Sequence, residues 1–386
     1  MKKLYFFVYC LLILILFDIF AKKIFSSYFE TSSFCYDKYL LYNYCPDSKH
    51  EKIVNNKKIV TNIDEFSISY SKNYKKITPV ESKIILIGDS FIQADELIFE
   101  DRIVNYFLKE NIKTIQIGYG SWNPFQYENI FEKFKFRDDA TFLIFLMSND
   151  FFPNYKHSYL NTLDTVDNYK KKFINQRINQ NSFKYKIKKY LKANSFIVAT
   201  LAKINFKLSQ KNLENEKKLI NIEESHTFEN SLDCFYLKKY KNKINRNLYD
   251  NLVFSKNKSC WGKKYFNEAD EIIKALQRLE NNLKTNQRVL YFLVTPGWAY
   301  ENENTIGKKM YGYNLDQNIL ITQIGLSEYL KEKLKINFYD TEKFFADLKK
   351  KYPEQNSLYL ETDGHWTNTS HFEIYNWIKT KLPNKK

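Results

Sequence analysis

Ser90, Asp363 and His365 are the residues of this chain whose types suit nucleophilic chemistry, and Gly120 and Asn149 suit the charge that such chemistry develops. A serine hydroxyl attacks well only when a base takes its proton, and an imidazole that titrates near neutrality is the natural base. A carboxylate beside the imidazole selects its tautomer and stabilises the imidazolium, a role open to Asp363. The tetrahedral oxyanion needs preorganised donors, which the backbone N–H groups of Ser90 and Gly120 and the side-chain amide of Asn149 can supply. Together these groups make the set for acyl transfer through an acyl-serine. Each also has a plainer reading. Ser90 can cap the helix that follows it, Asn149 can brace a loop, Gly120 can serve a positive φ, and His365 can be a structural turn residue. No Cys-x-x-Cys pair and no Cys/His cluster with zinc-ligand spacing occurs, so neither a metal nor a cofactor is expected. The residues after Gly88 do not continue into a phosphate-binding loop.

Elements that would bring these residues together follow from the pattern of apolar runs. Within residues 83–88, Ile84 to Ile87 form a continuous apolar run closed by Gly88, the mark of a buried parallel strand. A helix is expected over 94–110, a strand over 114–117, a helix over 125–134 and a strand over 141–147. Strand, helix, strand in this rhythm predicts a parallel sheet with right-handed crossovers. The rhythm stops in the Lys- and Asn-rich residues 153–287, read as a partly helical insertion. It resumes with a strand at 288–294, a helix at 316–334, a strand at 336–339, a helix from Glu342 and a last helix from Ser370 to Lys381. Ser90, Gly120, Asn149 and His365 each follow a strand or precede the last helix. A parallel sheet would gather them at its carboxyl edge, where open α/β sheets bind ligands.

The 386 residues can bury one large core, and 44% hydrophobic and 17% aromatic residues suit a globular protein. The formal charge of +16 comes from 60 Lys and Arg against 44 Asp and Glu. The lysines are dispersed and no nucleic-acid motif accompanies them, so solvated faces are expected and nucleic-acid binding is not. Met1-Lys2-Lys3 precedes the uncharged apolar run Leu4 to Phe17. A bilayer asks for about 20 apolar residues. An uncleaved signal anchor over 1–25 fits better than a cleaved signal peptide, because Ile19-Phe20-Ala21 is a poor cleavage site. The remainder, on this reading, lies outside the cytoplasm. Cys35 with Cys45 and Cys234 with Cys260 can form two local disulfides there, or stay as thiols in a reducing compartment. Asp150 is read as structural, and His50, His157, His226 and His371 as surface or helix-face residues. Trp122 and Trp366 can line a sugar site or pack.

Four blocks in order, Gly88-Asp89-Ser90-Phe91, Gly118-Tyr119-Gly120, Ser148-Asn149-Asp150 and Asp363-Gly364-His365-Trp366, resemble those of the SGNH/GDSL hydrolase superfamily. Thr61-Asn62 with Phe66, and Pro296 with Tyr300, are similar to flanking motifs of its membrane-anchored bacterial members. The match covers roughly residues 60–150 and 288–382. It implies a three-layer α/β/α fold with a mainly parallel, flavodoxin-like sheet. It also implies ester chemistry on acylated carbohydrates or lipids, often O-acetyl groups of cell-surface polysaccharide. The chain departs from the family pattern at Met147, where glycine is usual, at Ser121, where the oxyanion glycine commonly falls, and in the two-residue spacing of Asp363 and His365. The expected organisation is an anchor (1–25), a membrane-proximal segment (26–82), two core halves (83–152 and 288–386) and the insertion (153–287). The expected activity is that of a serine esterase or O-acyltransferase in the cell envelope, with an acylated carbohydrate or other ester as substrate. A membrane-protein partner from an acetylation system is a further expectation. The competing function is a non-catalytic glycan-binding or assembly protein on the same fold.

Overall fold

The computed structural model describes residues 2–24, 34–54, 57–120, 122–151, 195–198, 200–201, 204, 263–294, 323–334, 338–354, 358–360 and 364–382. The core is a five-stranded sheet built from β6 (Ile84–Gly88), β7 (Thr114–Gly118), β8 (Thr141–Leu146), β9 (Arg288–Leu293) and β10 (Phe338–Asp340). Its strands run in the order β10-β9-β8-β6-β7, and every pairing is parallel. Ile85, Leu86 and Ile87 are fully buried. Each such side chain contributes about 1.5–3 kcal/mol relative to exposure. That is why this run reads as unbroken hydrophobicity rather than as an alternation.

Helices cover both faces. Phe142 and Phe145 of β8, three residues apart, point to opposite sides. Phe142 meets Phe131 of α4 (Pro124–Lys133) at a ring separation of 4.7 Å. Phe145 stacks at 5.0 Å on Phe292, which meets Trp377 of α8 (Asn368–Lys379) on the same face. The α4 helix starts where expected because Asn123 and Gln126 form a capping box with Pro124 between them. A long helix, α5 (Lys263–Asn281), packs on α4 and buries Ala269, Ile272, Leu276 and Leu279 at helical spacing. Its Arg278 pairs with Glu128 of α4 at 2.7 Å. These residues fall within the stretch read as an insertion, yet α5 joins β8 to β9 as a core crossover. Helices α6 (Gln323–Leu334) and α7 (Thr341–Lys351) flank β10 in sequence.

The helix expected over 94–110 starts earlier and is interrupted, so that only a 3-10 turn and a short α-helix fall within that span. A single turn, α2 (Ser90–Gln93), ends at Ala94 in the left-handed conformation with φ 49°. A 3-10 turn follows at Phe99–Asp101, and then α3 (Ile103–Lys109). The interruption has a physical cause, for Asp95 and Glu96 turn inward and are 4% and 6% exposed. Their partners come from the amino-terminal segment, which is more ordered than its composition suggests. Strands β1 (Phe34–Asp37) and β2 (Leu41–Tyr44) form a hairpin, and Cys35 is joined to Cys45 by a disulfide. Strands β3 (Lys49–Val54), β4 (Lys57–Ile63) and β5 (Ser69–Tyr70) make an antiparallel sheet. Cys234 and Cys260 lie outside the described residues.

The amino-terminal helix α1 spans Lys2–Ile24, and its Asp18 accepts the N–H of Ile197 at 2.9 Å. Among the described residues, no helix is long and apolar enough to cross a membrane.

Candidate active site

Two features of the chain place Ser90. Strand β6 delivers it to the carboxyl edge of the sheet, and β6 lies between β7 and β8, where successive crossovers leave in opposite directions. That is the switch point at which sheets of this order bind ligands. Asp89 then caps α2 by accepting the N–H of Phe91 at 3.0 Å, which turns the Ser90 hydroxyl outward. The corner is tight. A Cβ on Gly118 would lie 2.9 Å from the Gly88 carbonyl oxygen and 3.1 Å from Gln93 N, so only glycine lets the second strand approach the nucleophile turn. Gly120 does not adopt positive φ; a Cβ there would meet Gln93 Oε1 at 3.2 Å.

His365 arrives by another route. Residues 358–360 pair with residues 365–367, through a bridge between Tyr359 and Trp366 and a hydrogen bond from Leu360 N–H to the His365 carbonyl at 2.7 Å. Gly364 makes the turn at φ 75°. Trp366 is 1% exposed and wedged against Phe91, Phe145 and Phe345. Thr367 caps α8 immediately afterwards. An anchor on one side and a helix cap on the other leave His365 only one direction, over the Phe91 ring at 4.7 Å. Its Nε2 lies 2.8 Å from Ser90 Oγ. The two residues that sequence reasoning paired are therefore in hydrogen-bond contact, the geometry a general base and its nucleophile need. Asp363 lies outside the described residues, as do Ser121, Pro296 and Tyr300, and the side chain of Asn149. The backbone of Asn149 belongs to the 3-10 turn Ser148–Phe151 that follows β8.

The oxyanion donors differ from expectation. The Gly120 N–H is donated to Gln93 Oε1 at 2.7 Å. Gln93 is locked in that orientation because its Nε2 donates to Tyr44 Oη at 2.9 Å and to Asp95 Oδ2 at 2.7 Å. The Ser90 N–H faces the Asp89 carboxylate, which it and the Phe91 N–H help to keep charged against the upward pull of burial. Beneath Asp89 sits Asp150, pushed well above the usual carboxylate range by burial and by the Asp89 charge. It accepts the Met147 N–H at 3.0 Å and the Tyr127 hydroxyl at 3.3 Å, the bracing role expected of it.

A buried polar cluster adjoins the nucleophile turn and was not legible in the sequence. Burial would raise the Asp95 carboxyl, but His50 at 3.1 Å, Arg102 at 3.8 Å and the Tyr44 hydroxyl at 2.5 Å hold it below its ordinary range. Glu96 binds Lys52 of β3, and its Oε1 lies 3.9 Å from His365 Nδ1. So His50 is not a free surface histidine. Neither is His371, which is 2% exposed and accepts the Ile103 N–H at 3.3 Å, tying α8 to the start of α3. Trp122 and Trp366 are both 1% exposed and serve as packing rather than as a sugar platform.

Burial, with help from Arg102, lowers the His371 pKa from 6.5 to about 3. The folded form thus refuses a proton that the unfolded chain accepts below pH 6.5, and stability drops as pH falls from about 6.5 toward 3. At pH 5 this group alone costs about 2 kcal/mol. His371→Gln keeps an acceptor for Ile103 and does not titrate. The loss of unfolding free energy between pH 7 and pH 5, measured with denaturant, is expected to be smaller in this variant by about that amount. Asp64, whose pKa burial raises to about 6, works in the opposite sense, but it is common to both proteins and cancels. Equal pH slopes would show that His371 titrates in the fold as it does in the unfolded chain.

Searches against family models and curated proteins found no protein-family model that matches the chain and no curated protein that matches its sequence.

Proposed function

We propose that the protein is a serine-dependent ester hydrolase or O-acyltransferase of the SGNH/GDSL type, acting on an acylated carbohydrate outside the cytoplasm. The observation that carries this reading is the 2.8 Å contact between Ser90 Oγ and His365 Nε2. His365 takes the hydroxyl proton as Ser90 Oγ attacks the ester carbonyl. It then returns that proton to the departing alcohol. The acyl-serine is resolved by water in a hydrolase or by a sugar hydroxyl in a transferase, with His365 again as base. Asp363 is proposed to orient the imidazole, and the Asn149 amide to receive the oxyanion. A sheet covered on both faces, with its strands in the flavodoxin-like order, supports the three-layer fold on which this chemistry is proposed.

The exposed apolar residues of α1, Leu12 to Phe17 with Ile19 and Phe20, support a membrane anchor. The Cys35–Cys45 disulfide supports an oxidising, extracytoplasmic compartment. A fluorophosphonate probe should label the wild-type protein and fail to label Ser90→Ala. Release of acetate from an acetylated glycan then marks a hydrolase, and its appearance on a second sugar marks a transferase. Absence of both labelling and turnover with any activated ester would refute the proposal.

One observation favours the second reading, a binding or assembly protein that does not turn over. The Gly120 N–H, expected to serve the oxyanion, is already committed to Gln93. On that reading Ser90→Ala leaves glycan binding intact and no acyl-serine is ever trapped.

A further inference from the structure

Glu96 is a buried carboxylate that the acyl-transfer scheme above does not use, and its position gives it work to do. It follows the nucleophile turn by six residues, is 6% exposed, and directs Oε1 toward His365 Nδ1, the ring nitrogen turned away from Ser90. The same oxygen binds Lys52 Nζ, which reaches it from β3 of the amino-terminal sheet. At 3.9 Å the carboxylate is at ion-pair rather than hydrogen-bond distance from the imidazole. It therefore acts through its charge and does not select a tautomer. That charge matters at one moment. When Ser90 gives its proton to His365, an imidazolium forms in a partly buried site, and a negative group near its far nitrogen lowers the free energy of that state.

We propose that Glu96 is a second positioning carboxylate for His365, additional to Asp363, and that Lys52 of the amino-terminal sheet holds it in place and tempers its charge. This deepens the Ser90–His365 reading and rests on it. Among the described residues, other charged or titratable groups near the imidazole include Asp89 beside Ser90 and His371 on α8. Asp95, next to Glu96, is committed to His50, Tyr44, Gln93 and Arg102.

The test is a histidine NMR titration of the full-length protein. The chain has only five histidines, and His365→Gln identifies the resonance that matters. Glu96→Gln should lower the pKa of His365 by about one unit, and Lys52→Met should raise it, because the two groups have opposite charge. Glu96→Asp should restore part of the wild-type value. The acid limb of the pH–rate profile on an activated ester should move with the NMR values. Lys52 is 36% exposed, so its variant keeps the question answerable if Glu96→Gln does not fold. A role confined to packing predicts no movement or movement in one direction in both variants, and either result overturns the inference. The two proposals fail separately. Opposite NMR shifts in a protein that turns over no ester would leave Glu96 as stated and remove the enzymatic reading. An active enzyme with unmoved titrations would do the reverse.

Discussion

Alanine in place of His365 is expected to lower turnover of an activated ester by about 10⁴- to 10⁶-fold, and adding Ser90→Ala should cost almost nothing more. The reasoning is that the two side chains act as one device. Ser90 Oγ and His365 Nε2 are 2.8 Å apart, so removing either leaves the other with no function in the attack. What activity survives comes from binding and oxyanion stabilisation, which neither change touches. The fold should tolerate the substitution. His365 owes its place to its own backbone, through the Leu360 N–H and the Tyr359–Trp366 bridge, rather than to its ring. Steady-state kinetics on the two single variants and the double variant decide the matter. Losses that multiply, or a His365→Ala enzyme within tenfold of wild type, would mean that the contact is structural.

Trp366→Ala should be the most damaging single change to stability, at about 3–5 kcal/mol. The indole is 1% exposed, with ring centres 5.0 Å from Phe91, 5.8 Å from Phe345 and 6.1 Å from Phe145. Removing it opens a cavity between the sheet and the segment that carries His365. The effect on catalysis should exceed what the fraction of folded protein explains. Trp366 adjoins His365 in sequence and meets Phe91, which adjoins Ser90, so the cavity relaxes both halves of the dyad together. A displacement of about 1 Å costs on the order of 10² in rate. Denaturant titration gives the first quantity, and kcat at full folding gives the second. Trp366→Phe should recover part of each. A Trp366→Ala protein of near-normal kcat would show that the His365 loop is held by its hydrogen bonds alone.

The strands were readable because burial on both faces writes itself as a run of apolar residues, as in Ile84 to Ile87 and Thr141 to Leu146. Ser90 and His365 were readable because they stand at the ends of such elements beside glycines, and parallel topology leaves those positions one edge to share. Gln93, Asp95 and Glu96 were not readable. A window around them scores as one amphipathic helix, since periodicity cannot register an acid that turns inward to meet Tyr44, His50 or Lys52 some fifty residues earlier. Of the amino-terminal strands, Val60–Asn62 and Phe66–Tyr70 are legible as short strands and coincide with parts of β4 and β5, whereas β3 escapes for a related reason. Lys49–Val54 is only partly buried, so neither face carries a clear apolar signature. Gly120 shows how a correct location can carry a wrong role. It sits next to the nucleophile, and its N–H serves a neighbouring side chain. Trp122 and Trp366 show a complementary limit, because residue type alone leaves a recognition surface and a filled interior both open, and the structure buries both.

The dyad closes a span of 275 residues, with its hydroxyl in the first quarter of the polypeptide and its imidazole close to the last helix. A chain made amino end first would carry an unactivated serine for almost the whole of its synthesis. On the proposed reading, reactivity would switch on only as α8 docks, so nascent products and products shortened before it would be inert.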